Sequence, residues 1–542
     1  MTGLSRKQKV FTMSGVGLGM LLAALDQTII ATAMPQVVAH LGGFDLYAWA
    51  FTAYMLTSTA SVPLYGKLSD LYGRKIFFLL GMILFTLGSA ASGQAQTMHQ
   101  LIGFRALQGL GAGAMMPVAL AIIGDLFPPG QRGKVQGMMG TIFGISSIVG
   151  PMVGGYITDN LSWRWVFYVN LPVGVLAVFV VLLTMPWDRR AHRQHTIDYL
   201  GAAALVGGVV PLLLAFSQAG VDHAWTSSYI LSLFFASAVM LSLFAWAEVR
   251  AKEPILPLSL FRNPIFFVSV FVVFLTAMGM FGSIMFIPLF AQGVTGASAT
   301  NSGYVLTPMM LSMIAGSIGS GQLVARWGRY RIIGLIGLAL MTLGMYLLSR
   351  MDAATTCSAL VRNMVVTGFG LGTTMPLYVI AVQNAFPHAL LGVVTSSIQF
   401  FRSIGGTIGV AVLGSLMNRV FREELMQNLA SGSPAGTASP ALEEFSSPQA
   451  LLDPEAAAAL KNALPPQLAE QFLDATRTAL AGATGEAFLL GTALVAAAWA
   501  LNWLLKEIPL RRTHEEAAAG RPAEEPLGEP GAAAAPGAAE TV

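Results

Sequence analysis

Charge is scarce in this chain: Asp, Glu, Lys and Arg make up 11% of the 542 residues, while 55% are hydrophobic. An ordinary soluble domain carries about 25% charge, so too little polar surface exists here to face water on all sides. Apolar runs near the length of a bilayer crossing recur instead, and mean hydropathy is +0.66. Cysteine is nearly absent. The single Cys357 excludes an intrachain disulfide framework and a multi-cysteine zinc site. There is no G-x-x-x-x-G-K-[ST] motif and no loop long enough for a nucleotide-binding domain, which excludes ATP hydrolysis within the chain. No long basic tract or zinc-finger spacing suggests nucleic-acid binding. The sequence thus reads as neither an enzyme nor a cofactor or metal protein, and any pump built this way draws on an ion gradient.

Apolar stretches fall at 11–35, 47–66, 76–95, 99–122, 135–157, 166–184, 198–217, 227–247, 265–290, 303–323, 331–349, 358–383, 392–418 and 486–505. About 20 residues cross the hydrocarbon as a helix, so the expected fold class is an all-α polytopic membrane protein with fourteen spans. Arg6, Lys7 and Lys9 precede the first stretch, which is read as a retained helix rather than a signal peptide. Lys67, Arg74, Lys75, Arg132, Lys134, Arg189, Arg190, Arg193, Arg250, Lys252, Arg262, Arg326, Arg329 and Arg331 fall in alternate connections. The intervening short connections 36–46, 96–98, 218–226 and 291–302 have neither Lys nor Arg. This positive-inside pattern predicts cytoplasmic N- and C-termini in a bacterial inner membrane. Residues 419–485, rich in Ala, Pro, Ser and Gly with an amphipathic stretch at Leu464–Leu480, read as an extracellular hairpin or flap; those after Arg512 read as a disordered tail.

Few charges lie inside the spans. Asp26 lies in the first and Arg105 in the fourth. At 1.5 Å per residue Asp26 sits about 22 Å along its helix from the inside, and Arg105 about 9 Å from the outside. The two therefore lie at similar depth, where a direct or water-bridged pair is feasible. The pair is either a structural link between helices or a titrating centre. An adjacent arginine favours an ionised carboxylate, and its withdrawal or drying of the site favours protonation. Arg402, near the middle of the thirteenth span, is either an anchor between helices or a contact for an anionic substrate. Glu486 opens the last span. Aromatic and amide side chains at Gln27, Trp49, Phe51, Tyr54, Phe281, Phe286, Tyr304, Tyr378, Gln383, Asn384 and Gln399 are candidates to line a cavity or to pack between helices. The 27 methionines supply an adaptable apolar surface.

Glycine marks two further features. Gly66-Lys67-Leu68-Ser69-Asp70-Leu71-Tyr72-Gly73-Arg74-Lys75 forms a connection whose glycines permit a tight turn. Its Asp70 suits either a helix N-terminus or a basic partner, and either contact would latch that face. Gly321 to Arg331 repeats the spacing with Ala325 in place of the acid, which suggests an internal duplication. The fifth span carries Gly140, Gly144, Gly150, Pro151, Gly154 and Gly155, a small face for close helix contact beside a kink that suits an outer gate.

In order along the chain, these segments resemble the major facilitator superfamily, and specifically its fourteen-span drug:proton antiporters. The resemblance is carried by Leu25-Asp26-Gln27-Thr28 with Met34-Pro35, by Gly66–Lys75, by Arg105-Ala106-Leu107-Gln108-Gly109-Leu110-Gly111, by Gly140 to Gly155, and by Trp163-Arg164-Trp165 through Asn170-Leu171-Pro172. It implies an N-terminal six-helix bundle at 1–185, a linker at 186–264 with two additional spans, a C-terminal bundle at 265–512 containing the 419–485 loop, and a cytoplasmic tail at 513–542. It also implies alternating access between the bundles, with Asp26 and Arg105 in proton coupling. Gly66, Asp70, Gly73 and Arg74 would form an inner gate, and Gly140 to Gly155 the antiporter motif. Spans nine to thirteen contain no Asp or Glu; a one-proton exchange is therefore easier to support than divalent-cation export. The function this implies is export of cationic or neutral lipophiles, conferring multidrug resistance, from a monomer in the lipid bilayer. A competing expectation is a proton-coupled exporter of one metabolite, such as a siderophore or another anionic product.

Overall fold

The structure, a computed structural model, describes residues 5–43, 46–187, 196–220, 223–295, 306–432 and 466–510. Within them the chain is almost entirely helical, as a backbone without access to water must be. The helices are α1 (Arg6–Leu41), α2 (Tyr47–Tyr72), α3 (Arg74–Gly93), α4 (Met98–Leu126), α5 (Pro129–Asn160), the single turn α6 (Trp165–Tyr168), α7 (Asn170–Thr184), α8 (Tyr199–Gln218), α9 (Ser228–Arg250), α10 (Pro264–Gly293), α11 (Thr307–Trp327), α12 (Tyr330–Ser349), α13 (Cys357–Ala385), α14 (Leu391–Gly432) and α15 (Pro466–Asn502). Several starts are fixed by side-chain caps: Ser5, Thr97, Ser227, Asn263 and Thr356 each accept a backbone N–H of the following turn.

Twelve segments among the described residues are long and apolar enough to cross a membrane. Two of the long helices, α2 with 26 residues and α11 with 21, are not among them. Both are rich in Ser, Thr and Gly, and each packs against a helix from the opposite part of the chain, α2 on α14 and α11 on α5. A helix shielded from lipid in this way has less need of apolar side chains.

Neighbour relations repeat. In the N-terminal part the packing runs α2–α4–α3–α7–α1–α5; in the C-terminal part it runs α11–α13–α12–α15–α10–α14. Position for position this is the same arrangement, the structural counterpart of the repeated turns at Gly66 and Gly321. Helices α8 and α9 pair with each other, and α8 rests on both α2 and α14. Their connection is tied to α14 by Trp225, whose Nε1 donates to Ser415 Oγ at 2.9 Å.

One expectation needs correction. Much of the predicted 419–485 loop is helix: α14 continues to Gly432, and α15 begins at Pro466, so most of the amphipathic Leu464–Leu480 stretch extends a span. Leu480 is buried, as are Phe472 and Thr476. The remainder of that loop, the arginines at 189, 190 and 193, and the tail beyond 510 lie outside the described residues.

The N-terminal core is layered. One apolar cluster contains Met20, Phe78, Phe85 and Met115, and a second contains Ile30, Met34, Leu101, Trp163 and Phe167. The buried polar residues of α1, α4 and α7 lie between these two layers.

Candidate functional site

Asp26 is the middle of that polar layer. It is 3% exposed, a burial that costs heavily unless the carboxylate is neutralised and hydrogen-bonded. Arg105 Nη1 donates to its Oδ2 at 2.7 Å. Gln108 Nε2 donates to Oδ1 at 2.8 Å, and Asn170 Nδ2 donates to the same oxygen at 3.0 Å. Arg105 and Gln108 are three residues apart and so share a face of α4; Arg105 also donates to Gln108 Oε1 at 2.7 Å. Beneath the guanidinium lies the Tyr54 ring, 4.2 Å from Cζ to centroid. Tyr54 is therefore a wall of this centre, held by cation–π attraction. The chain break between α6 and α7 places Asn170 at the start of a new helix, where it reaches Asp26 and also donates to Ser89 Oγ at 3.0 Å. The Asp26–Arg105 pair that depth arithmetic allowed is present as a direct contact. Gln108, Asn170 and Ser89 carried no charge to draw attention in the sequence; Gln108 and Asn170 stood only as letters within motifs.

A second network closes one face of the protein. Asp70, at the end of α2, accepts the N–H groups of Gly392 at 2.9 Å and Val393 at 2.8 Å, the first turn of α14. It also makes an ion pair with Arg74. Both alternatives read from the sequence are thus realised by one carboxylate: it caps a helix of the far part of the chain and pairs with a base of its own part. Arg74, fully buried, further donates to Ser69 Oγ at 2.7 Å and to Asp125 Oδ2 at 3.3 Å. The other Asp125 oxygen lies 3.1 Å from His388 Nε2. Gly73, at φ +102°, gives the left-handed turn into α3. Gly66 faces α14 so closely that a Cβ would overlap Ser396.

On the same face Arg132 of α5 donates to Gly124 O at 2.7 Å and to Gln383 O at 3.2 Å, while Gln383 Nε2 donates to Leu120 O at 3.1 Å. Lys75 donates to Leu182 O at 2.7 Å and Met185 O at 2.5 Å. These basic residues, read as markers of membrane orientation, also hold helix ends together. Gln383 ties α13 to α4, and Asn384 donates to Pro509 O at 3.2 Å. Of the two roles open to these amides, both contacts are of the packing kind, between one element and another.

The glycines of α5 divide between two partners. A Cβ at Gly133 would come within 2.6 Å of Gly321 O, at Gly137 within 2.8 Å of Ser317 O, and at Gly140 within 2.7 Å of Ser317 Oγ, all on α11; Gly144 abuts Ile314. Beyond that point the helix turns to α1: Gly150 abuts Thr28, and Gly154 abuts Thr32 and Ile29. Thr28 Oγ1 donates to Ser146 O at 3.0 Å, clasping the seam. Pro151 lies within the second half. Gly155 has nothing within 4 Å. The motif is therefore two seams rather than the single outer one expected.

The other cavity candidates disperse. Gln27 is exposed and Trp49 half-buried. Phe281 packs on Gly406 of α14 as part of the core. Tyr378 is buried and bonded to Asn502 Oδ1 at 3.1 Å. Gln399 and Arg402 are half-buried, one turn apart on α14. Tyr304 lies outside the described residues. No group of three or more His, Cys, Asp or Glu among the described residues is placed to hold a metal ion.

Comparison with known proteins agrees with this architecture. Residues 16–410 match the model of the Major Facilitator Superfamily. The chain is 46% identical over 413 residues to the multidrug transporter protein MdtP of Bacillus subtilis, covering 76% of each. It is 40% identical over 470 residues to multidrug resistance protein 3 of the same organism, covering 87% of this chain and 90% of that one. Among solved structures, the human organic anion transporter MFSD10 shares the fold with a TM-score of 0.59 at 15% identity, over 91% of this chain and 100% of that one. The chain belongs to the major facilitator superfamily: it is a multi-pass membrane transporter that moves small molecules by secondary active transport, and not an enzyme.

Proposed function

We propose that the protein exports lipophilic compounds, cationic or neutral, in exchange for protons, with Asp26 as the group that carries the proton. The observation that carries this reading is the Asp26 centre: a 3%-exposed carboxylate whose only ionic partner among the described residues is Arg105. In the present arrangement the Arg105 guanidinium faces that carboxylate directly. If the helices part or the site dries, an unpaired charge in that environment is costly, and taking up a proton removes the cost. A cycle that alternates those surroundings while alternating the side of access couples proton entry to substrate exit.

The accompanying topology is fourteen spans with α2 and α11 included, bundles at 1–185 and 265–512, and the α8–α9 hairpin between them, in a bacterial inner membrane with both termini cytoplasmic. The repeated neighbour order supports the division into bundles. In this arrangement the Asp70 network is a cytoplasmic gate in its closed position. Gly140 and Gly144 hold the bundles together at that gate, while Gly150 to Gly154 hold α5 to its own bundle. Broad selectivity is inferred from the names of the two bacterial relatives. The test is transport by purified protein in proteoliposomes under an imposed pH gradient. Wild type should move a lipophilic cation against its gradient and Asp26→Asn should not; normal coupled transport by a folded Asp26→Asn protein overturns the assignment.

A further inference from the structure

The C-terminal helices hold a charge that the Asp26 centre does not use. Val273 and Thr276 of α10, Leu371, Thr374 and Tyr378 of α13, and Arg402 of α14 are among the residues that line a narrow recess with a volume of about 20 Å³. Arg402 makes no hydrogen bond, ion pair or ring contact among the described residues, and remains partly exposed. Thr276 is 7% exposed, and its hydroxyl also has no partner. An unpaired guanidinium and an unpaired buried hydroxyl thus line one recess. Each is costly alone in a low-dielectric setting, and both costs disappear if an anion enters.

Among the described residues no carboxylate pairs with Arg402. Neither Asp nor Glu occurs from residue 264 to 351 or from 353 to 422. Glu424, the second acid after that interval, lies about six turns beyond Arg402 along α14. Tyr378, the other polar group in the recess, is committed to Asn502, and Thr374 to Leu371 O at 2.8 Å.

The chemistry of the occupant follows from these groups. A single guanidinium neutralises one negative charge, and its planar fork matches a carboxylate. The Thr276 hydroxyl adds a third donor. The recess has room for the carboxylate itself, walled by Val273, Leu371 and the Tyr378 ring, so the apolar body of the molecule extends beyond it. Arg402 lies about 16 Å along α14 from its start, near the middle of a bilayer roughly 30 Å thick, so a lipid phosphate at the interface is poorly placed to reach it. We infer that this recess binds the ionised carboxylate of an amphipathic small molecule, and that the transported compounds include monoanionic and zwitterionic lipophiles. This rests on the secondary-transport reading above and widens its substrate class beyond cationic and neutral compounds.

The test is binding to purified protein in detergent with no proton gradient, comparing pyrenebutyrate with its uncharged carboxamide. Wild type should bind the acid at least tenfold more tightly than the amide. Arg402→Gln should bring that ratio close to one, and Arg402→Lys should keep part of it. Thr276→Val should weaken the acid several-fold and leave the amide unchanged, and it carries the test if Arg402→Gln does not fold. Equal affinity of wild type for the two probes, or a preference that survives in Arg402→Gln, overturns the proposal. Displacement of the acid by phosphatidylglycerol would assign the recess to a lipid headgroup and overturn it too. Since no gradient is applied, failure here leaves Asp26-coupled export standing, and failure of the Asp26→Asn experiment leaves this preference measurable.

Discussion

The two halves of the protein share an order of neighbours yet treat buried charge in opposite ways. In the N-terminal half Asp26 is met by Arg105, Gln108 and Asn170, a centre whose charge is balanced and whose carboxylate accepts three donors. In the C-terminal half Arg402 stands without a partner among the described residues, in a recess whose lining residues include no acid. The turns differ likewise: Asp70 latches α2 to α14, whereas Ala325 at the matching position has no carboxylate to offer α5. A duplicated scaffold thus carries its buried charge differently in its two halves: one holds an internal ion pair, and the other a guanidinium without such a pair among the described residues.

The comparison breaks most sharply at Asp26. Asp26→Asn keeps the shape and most hydrogen-bonding capacity of the centre but removes its titration, so proton-driven transport should fall at least about a hundredfold, equivalent to roughly 2.7 kcal/mol or more. The protein should still run as a folded species on size-exclusion chromatography. Arg105→Gln leaves Asp26 buried without its cation. Removing one partner of a buried pair typically costs about 3–5 kcal/mol, so thermal unfolding in detergent should shift well down, and Arg105→Lys should recover part of the loss.

The latch is a smaller effect. Asp70→Asn weakens a charged cap on α14 and the pair with Arg74, worth about 1–2 kcal/mol together. In a Cys357→Ser background, a Ser396→Cys probe beside Gly66 should label several-fold faster when Asp70 is also replaced; unchanged labelling would show that the face is held shut by other contacts. The smallest contrast lies along α5. Gly150→Ala drives a methyl into Thr28 and should slow transport several-fold, whereas Gly155→Ala meets nothing within 4 Å and should change stability by less than about 0.5 kcal/mol.

Much of the architecture was legible in the sequence because length and apolarity report directly on the cost of crossing a bilayer. The fourteen apolar stretches each correspond to a long helix, including α2 and α11, whose apolarity falls short of a lipid-exposed span. Asp26 and Arg105 could be matched because helix rise converts residue number into depth. Asn170 could not, since its link to Asp26 spans 144 residues and depends on a helix break that turns one amide inward. Gln383 was left with two alternatives for the same reason. An amide near a span looks alike whether it faces a cavity or, as here, reaches Leu120 on another helix. The 419–485 stretch read as a loop because its composition is rich in Ala, Pro, Ser and Gly, yet α14 and α15 pack on each other and carry their helices into it.

By itself the sequence determined the solvent, the succession of helices and the depth of each charge, because the transfer cost of a residue into hydrocarbon depends mainly on that residue and its near neighbours. Only the tertiary structure decided that α5 changes partner between Gly144 and Gly150, that Asp70 caps a helix more than three hundred residues away, and that Arg402 meets no counter-charge among the described residues. Those outcomes depend on how each helix is rotated and which neighbour it meets, and no local pattern of residues encodes a contact that two distant faces must make together.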